Sequence, residues 1–203
     1  MERSGAPRTA VRTAHMGDAD EIADILAEAF SDDPVMTWTV GDARPIRTLF
    51  IELARGVYLK NGFAHLVEGA AATLWLPAGA PYAVPFRNEL RIAGAVLRHG
   101  GFGAVRRSFA AVDVMEKHHP QAPHYYLFAV GVRKIAQGRG LGGAVLREGL
   151  RKADEEGAPS YLENSNPKNT PLYERLGFRA LAPLPLPAAA PPLLAMARPA
   201  GGG

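Results

Sequence analysis

A short glycine-rich turn is the part of this sequence whose residue types and spacing most directly indicate chemistry. The segment QGRGLGG, residues 137–143, holds four glycines and one arginine between two apolar segments. When such a turn opens a helix, unpaired backbone N–H groups and a dipole worth roughly half a positive charge attract anions. Glycine also permits positive φ and lets the backbone approach a ligand closely. The turn therefore predicts a phosphate-binding site, in which Arg139 either pairs with a phosphate or stays in solvent.

Two classes of cofactor are compatible with this turn. Gly138, Gly140 and Gly143 fit G-x-G-x-x-G, and Glu163 lies twenty residues beyond Gly143, where a dinucleotide site has its ribose-binding acid. However, five residues separate the preceding strand from Gly138, and too few residues follow Glu163 to build a doubly wound sheet. A nicotinamide oxidoreductase is therefore the less favoured interpretation, although it stays open at this point.

The pattern of apolar residues predicts an α/β protein. Residues 31–44 are expected to form a loop. Helical spacing predicts helices from the start of GDADE to about Phe30, from Pro45 onward, around 92–97 and 105–115, and over 142–156 and 170–176. Apolar segments bounded by turn residues predict strands at 10–13, 63–68, 71–76, 125–132, 160–163, 178–181 and 193–197.

Taken as Q-x-x-G-x-G, the turn resembles the signature of the GNAT superfamily of N-acetyltransferases. Gln137, Gly140 and Gly142 supply that motif, and Val132 stands five residues before it. YERLGF, residues 173–178, is a second match at the expected distance. ENSNPKNTPLYERLGF and the HHP segment are similar to puromycin N-acetyltransferase-like members. Lys134 departs from the pattern, because many members carry proline there.

This resemblance implies a single GNAT domain over residues 9–198, with a mixed, curved sheet of about six or seven strands and helices on both faces. Residues 1–8 and 199–203 are expected to be disordered ends. The family's central strand carries a bulge, for which Gly131 is the expected position. Acetyl-CoA is the implied co-substrate, and its expected contacts are Val130, Val132, Gln137, Gly138, Arg139, Gly140, Leu141, Gly142, Gly143 and Asn169.

The resemblance also suggests catalytic and acceptor residues. Tyr173 matches the family tyrosine that donates a proton to the leaving thiolate, and Glu163 is the expected base for the incoming ammonium. The alternative is that both residues are structural, with Tyr173 a core tyrosine and Glu163 a solvated carboxylate at the end of a strand. The segment FSDDPVMTWTV is expected to line the acceptor pocket, with Asp33 attracting a cationic amine and Phe30 and Trp38 forming apolar walls. Capping and packing explain these three residues nearly as well.

Composition narrows the choice of function. The chain has no cysteine, which excludes disulfides, thiolate metal sites and a cysteine nucleophile. Its 23 Lys and Arg residues are scattered and its net charge is only +3, so no nucleic-acid partner is expected. No apolar segment predicts a membrane span or a signal peptide. We therefore expect a cytoplasmic protein. A homodimer stays an open alternative to a monomer. His118, His119 and His124 are expected to border the site or lie in solvent without binding a metal.

The function expected from the sequence is direct transfer of acetyl from acetyl-CoA to a primary amine of a small molecule, for example an aminonucleoside. Two alternatives stay open beside the oxidoreductase: a protein lysine or N-terminal acetyltransferase, and a non-catalytic acyl-CoA sensor.

Overall fold

The computed structural model describes residues 10–201, and within them seven strands form one mixed sheet in the order β1-β2-β3-β4-β5-β7-β6. All neighbouring strands are antiparallel except β4 and β5, which are parallel. This confirms the expected mixed sheet. The strands are β1 Arg12–Thr13, β2 Phe63–Val67, β3 Ala71–Leu76, β4 Tyr125–Val132, β5 Ser160–Asn164, β6 Arg179–Pro183 and β7 Leu194–Arg198. The end predicted at residues 1–8 lies outside the described residues, as do residues 202–203.

Helices cover both faces of the sheet, as expected. One face packs against α1 and α3, and the other packs against α6. None of the helices in the described part of the chain has an apolar stretch long enough to cross a membrane. The helices are α1 Ala19–Ala29, α2 Pro34–Val40, α3 Arg44–Leu53, α4 Leu59–Asn61, α5 Phe86–His118, α6 Leu141–Glu155 and α7 Thr170–Arg175, with a π-helical turn, Ala54–Tyr58, between α3 and α4.

The prediction of a loop at residues 31–44 is wrong in part, because this segment contains α2. Asp33 begins this helix as its N-cap, and its carboxylate accepts a hydrogen bond from the backbone N–H of Met36 at 2.9 Å. Pro34 then occupies the first helical turn, where its missing N–H costs nothing. The segment SDDP, which ends one helix, therefore also begins the next.

The two helices predicted between residues 92 and 115 are two halves of α5. Gly101, with φ 75° and ψ 179°, interrupts the helical backbone between them. Only glycine adopts this conformation readily, so the break is encoded locally.

The prediction of a bulge at Gly131 is wrong. Gly131 pairs regularly with Ala72, whereas the register between β3 and β4 shifts at Phe128, between Ala129 and Leu127. Gly131 serves packing instead: a Cβ at this position would lie 2.8 Å from the Cβ of Ala29 in α1. The missing side chain lets α1 approach the sheet closely.

We expect Gly131→Ala to lower the free energy of unfolding by about 1–3 kcal/mol, because the added methyl group overpacks the contact with α1. Urea unfolding measures this change. Gly94→Ala is the matched control, since a Cβ there meets nothing within 4 Å in the exposed face of α5. It should raise stability by about 0.5–1 kcal/mol through helix propensity. Equal stability of the two variants would contradict the packing role of Gly131.

Candidate active site

A cleft opens where β4 and β5 stop pairing. The two strands pair at three positions, of which Leu127–Leu162 is the last. Beyond this point β4 continues along β3, and β5 continues along β7, so the parallel strands diverge. Residues 128–132 of β4 therefore present an unpaired edge to the cleft, and Val130 and Val132 lie on it. Such an edge can bind the amides of an extended ligand as a strand would.

The glycine-rich turn lies at the end of β4 and leads into α6. Gly138 and Gly140 have φ of 75° and 76°, and a Cβ at either position would meet nothing within 4 Å. Glycine is therefore required here by backbone conformation and not by space. Among residues 10–201 no side chain caps α6, and its first turn holds no acidic residue. The N–H groups of Leu141, Gly142 and Gly143 are the donors that an α-helix leaves without intrahelical partners, so the turn is suited to an anion.

Three side chains frame this turn. The Gln137 side-chain amide donates to the carbonyl of Val132 at 3.2 Å, which joins the turn to the end of β4. Arg139 is exposed on the turn, as expected for a residue that meets a phosphate or solvent. Arg147, which the sequence analysis missed, packs its guanidinium against Gly143, 3.3 Å from where a Cβ would lie. Its position one turn beyond Gly143 on α6 was the available signal, because residues four apart share a helix face.

Tyr173 lies on α7 and is only 6% exposed. Burial raises the pKa of its hydroxyl well above the usual value, and the nearby carboxylate of Asp33 raises it further. The hydroxyl therefore remains protonated and available as a donor. The ring packs edge-on against Phe178 at 6.0 Å, so Tyr173 is also part of the core.

Asp33 connects two sides of the site. One carboxylate oxygen caps α2, and the other accepts a hydrogen bond from the Ser165 hydroxyl at 2.7 Å. The residue is buried, and burial raises the pKa of its carboxyl. Because both oxygens are engaged within the protein, the structure gives Asp33 a cap and a loop-to-loop contact in place of the free, amine-attracting carboxylate that we expected.

Three asparagines precede α7, and each lies in a different environment. Asn166 caps the short 3-10 turn Pro167–Asn169 by accepting from the N–H of Lys168 at 3.1 Å. Asn169, the residue expected to contact the cofactor, is exposed and makes no side-chain cap for α7. Asn164, at the end of β5, donates to the Thr170 hydroxyl at 2.9 Å and thereby holds the loop against the strand.

Glu163 lies one residue beyond the last β4–β5 pair, at the apex of the cleft. Its side chain is 4% exposed, so it is not a solvated strand-end carboxylate. The Tyr126 hydroxyl donates to its Oε2 at 2.7 Å. Its Oε1 is buried without a hydrogen-bond partner among the described residues, with His119 Nδ1 at 3.6 Å. A buried carboxylate with one unengaged oxygen is suited to receive a proton.

An aromatic cluster lies on the same face of the sheet as Glu163. Phe128, the bulged residue, is at its centre and stacks on Tyr58 with a centroid separation of 4.7 Å. Phe30, predicted to contact the acceptor, joins the cluster through Phe50 at 5.2 Å. We define the aromatic cluster as Phe30, Phe50, Tyr58, Tyr82, Tyr126 and Phe128.

Trp38 lies outside the aromatic cluster. The guanidinium of Arg107 lies over the Trp38 ring, 5.7 Å from its centroid. The Nε–H of Arg107 also donates to the backbone carbonyl of Trp38 at 2.6 Å. These contacts join α2 to α5. The wall of the acceptor pocket that the sequence analysis assigned to Trp38 and Phe30 stays a prediction.

Comparisons with known proteins agree with this architecture. Residues 63–178 match the profile of the acetyltransferase (GNAT) family, and this segment contains the cleft strands, the glycine-rich turn and Tyr173. An uncharacterized N-acetyltransferase of Schizosaccharomyces pombe is 26% identical over 83% of this chain and 74% of its own length.

Two further relatives are similar to this chain. A solved structure from Corynebacterium glutamicum, described as the histone acetyltransferase HPA2 and related acetyltransferase, has 28% identity and a TM-score of 0.68, covering 94% of this chain and 96% of its own. A mycothiol acetyltransferase of Corynebacterium aurimucosum is 34% identical over 39% of this chain. The chain spans only 27% of that enzyme's length.

We expect Gly142→Asp to weaken the binding of acetyl-CoA about tenfold or more, which corresponds to about 1.4 kcal/mol. The new carboxylate would lie beside the open N–H groups and repel the diphosphate. The same charge favours a helix N-terminus by about 0.3–1 kcal/mol, so folding stability should hold or rise. A Cβ at Gly142 meets only Val132 at 3.4 Å and Leu172 at 3.8 Å, and therefore fits.

Isothermal titration calorimetry and thermal unfolding measure these opposite effects. Gly142→Asn is the matched control, since it has the same size without the charge, and it should bind acetyl-CoA more tightly than Gly142→Asp. Equal dissociation constants for the two variants would show that the diphosphate binds elsewhere.

Proposed function

The chain belongs to the GNAT family of acetyltransferases, and we propose that it transfers acetyl from acetyl-CoA directly to a primary amine of a small molecule. The observation that carries this proposal is the cleft between β4 and β5. The helix that follows the glycine-rich turn begins with open N–H groups, the buried carboxylate of Glu163 lies at the apex of the cleft, and α7 carries the protonated Tyr173.

The residues of the cleft fit the parts of acetyl-CoA. The N–H groups at the start of α6 provide donors for the diphosphate, with Arg139 and Arg147 as cationic partners. The unpaired edge of β4, including Val130 and Val132, provides backbone groups for the pantetheine amides. Bound in this way, the co-substrate supplies an activated acetyl group at the end of a flexible thioester arm.

In the proposed reaction the acceptor loses two protons and the leaving thiolate gains one. Glu163 takes the first proton from the ammonium of the acceptor, directly or through one water, and the free amine attacks the thioester carbonyl. Tyr173 donates a proton to the departing thiolate, whose conjugate thiol has a pKa of about 8.5, and the second amine proton returns to Tyr173 as the amide forms. The chain has no cysteine to carry the acetyl group, which agrees with direct transfer.

Phe50 and Tyr58 of the aromatic cluster are fully buried, so its partly exposed members, Phe30, Tyr82 and Phe128, are the ones that support an acceptor with a flat, apolar body. Tyr126 connects this cluster to Glu163 through its hydroxyl, so an amine attached to such a body would lie near the base. Aminonucleosides, including puromycin, and arylalkylamines have this shape. A protein substrate is the second candidate, because the relative from Corynebacterium glutamicum is described as a histone acetyltransferase.

We expect thiol release from acetyl-CoA to depend on an added amine, and to be fastest with aromatic amines in a panel that also contains aminoglycosides, polyamines and peptides. Tyr173→Phe should lower kcat by about 10²-fold, because it removes only the proton donor. Its affinity for acetyl-CoA should stay unchanged. Tyr125→Phe is the control, since that hydroxyl lies near Glu156, away from the cleft.

The outcomes separate the functions that remain. Fastest turnover with lysine peptides or peptide N-termini would favour the protein acetyltransferase. Tight binding of acetyl-CoA without release by any amine would favour an acyl-CoA sensor. A thermal shift with NADH and none with acetyl-CoA would contradict the proposal and favour the oxidoreductase.

A further inference from the structure

Two histidines connect the buried Glu163 to the protein surface. His119 directly follows α5, and its Nδ1 lies 3.6 Å from Glu163 Oε1. The Nε2 atoms of His119 and His124 are 3.0 Å apart. His124 precedes β4, and its Nδ1 lies 2.8 Å from the carbonyl of Ala122. These groups follow one another from the apex of the cleft toward the surface, where the side chains of His119 and His124 are partly exposed.

The hydrogen bonds determine the tautomer of each neutral ring. The Ala122 carbonyl can only accept, so His124 Nδ1 must carry a proton. Neutral His124 then accepts at Nε2, and His119 must donate from its own Nε2. Neutral His119 consequently has its lone pair on Nδ1, which is the atom that faces Glu163. The ring is therefore prepared to receive a proton from that carboxyl group.

The tyrosine and histidine side chains around Glu163 and His119 stay neutral. His119 packs edge-on against Tyr126 at 4.8 Å and against Tyr161 at 5.2 Å, which fixes the orientation of its ring. Burial raises the pKa of both tyrosine hydroxyls, so neither ionises at neutral pH. Burial lowers the pKa of His124, which favours the neutral, accepting ring. The contact between Glu163 and His119 is therefore surrounded by neutral rings.

We propose that His119 carries the ammonium proton from Glu163 to solvent, and that His124 is a positioning residue that holds His119 in the receiving tautomer. This proposal rests on the proposed function, because it takes Glu163 as the base. The proton passes from the acceptor nitrogen to Glu163, then to His119 Nδ1, and then to water. The second amine proton leaves by the separate route that ends on the thiol.

Burial of Glu163 gives such a route a function. Each turnover of a protonated amine releases one proton, and the carboxyl group that receives it is only 4% exposed. Until this proton leaves, Glu163 cannot accept another. The His119 side chain is 33% exposed, so it touches both the carboxyl group and solvent.

The first test replaces His119 in a weakly buffered assay of the full chain with the best amine of the panel. We expect His119→Ala to lower kcat by about 10²-fold, the scale of a lost proton transfer, with unchanged affinity for acetyl-CoA. Added imidazole should restore kcat in proportion to its concentration, because it can occupy the space and carry the proton. His119→Gln, which keeps a polar side chain of similar size, should show the same loss without rescue.

His118→Ala is the matched control. His118 precedes His119 in the chain, but its Nδ1 lies 2.8 Å from the carbonyl of Val114 in its own helix. Its removal should leave kcat and the response to imidazole at the wild-type level.

His124 variants test the positioning role. His124→Gln offers an amide oxygen to His119 Nε2 and should keep most of the activity. His124→Phe offers no acceptor and should lower kcat and shift the acidic limb of the pH–kcat profile, which a purely structural loss would not do.

The results distinguish this proposal from the proposed function. If wild type acetylates an amine while His119→Ala keeps full kcat, or loses it without response to imidazole at any buffer strength, the relay is overturned and the acetyltransferase stands. If wild type binds acetyl-CoA but acetylates no amine, both proposals fail. A melting temperature and an acetyl-CoA titration for each variant separate a lost proton carrier from a lost fold.

Discussion

The early end of pairing between β4 and β5 is the constraint on which the site depends. Each of these strands keeps a continuous antiparallel partner on its other side, β3 for β4 and β7 for β5. Because the parallel pairing covers only three positions, the two halves of the sheet separate beyond Leu127 and Leu162. The separation exposes a strand edge in the middle of a sheet that is otherwise fully paired there. It also leaves Glu163 at the apex, paired with Ala195 of β7 on one side and without a β4 partner on the other.

Contacts across the cleft hold its two sides in place. Asp33 caps α2 and also accepts from Ser165 in the loop between β5 and α7, so one carboxylate connects segments 132 residues apart. Arg133, at the end of β4, pairs with Glu28 of α1 at 2.7 Å, and Glu28 also accepts from the N–H of Lys134. These contacts join α1 to the segment that leads into the glycine-rich turn. The turn can therefore be pre-organised before any ligand binds.

Sequence analysis succeeded where the cause is local. Positive φ at Gly138 and Gly140 follows from residue type and motif, and the mixed sheet with helices on both faces was expected from the resemblance that these local motifs carry. It failed where the cause is a register or a close contact between distant segments. The bulge at Phe128 depends on how β4 aligns with β3, and Gly131 is a glycine because of α1, about a hundred residues earlier. Neither cause is visible within the strand itself.

By itself, the sequence determined the glycine-rich turn, the order of the elements and the family to which the chain belongs. Only the tertiary structure decided which polar groups meet. The register that pairs Tyr126 with Tyr161 also brings Glu163 to the Tyr126 hydroxyl, and the end of α5 brings His119 to the same carboxylate. The physical reason is that backbone conformation depends mainly on neighbouring residues. The partners of a buried charge, in contrast, depend on strand registers and helix ends from segments far apart in the chain.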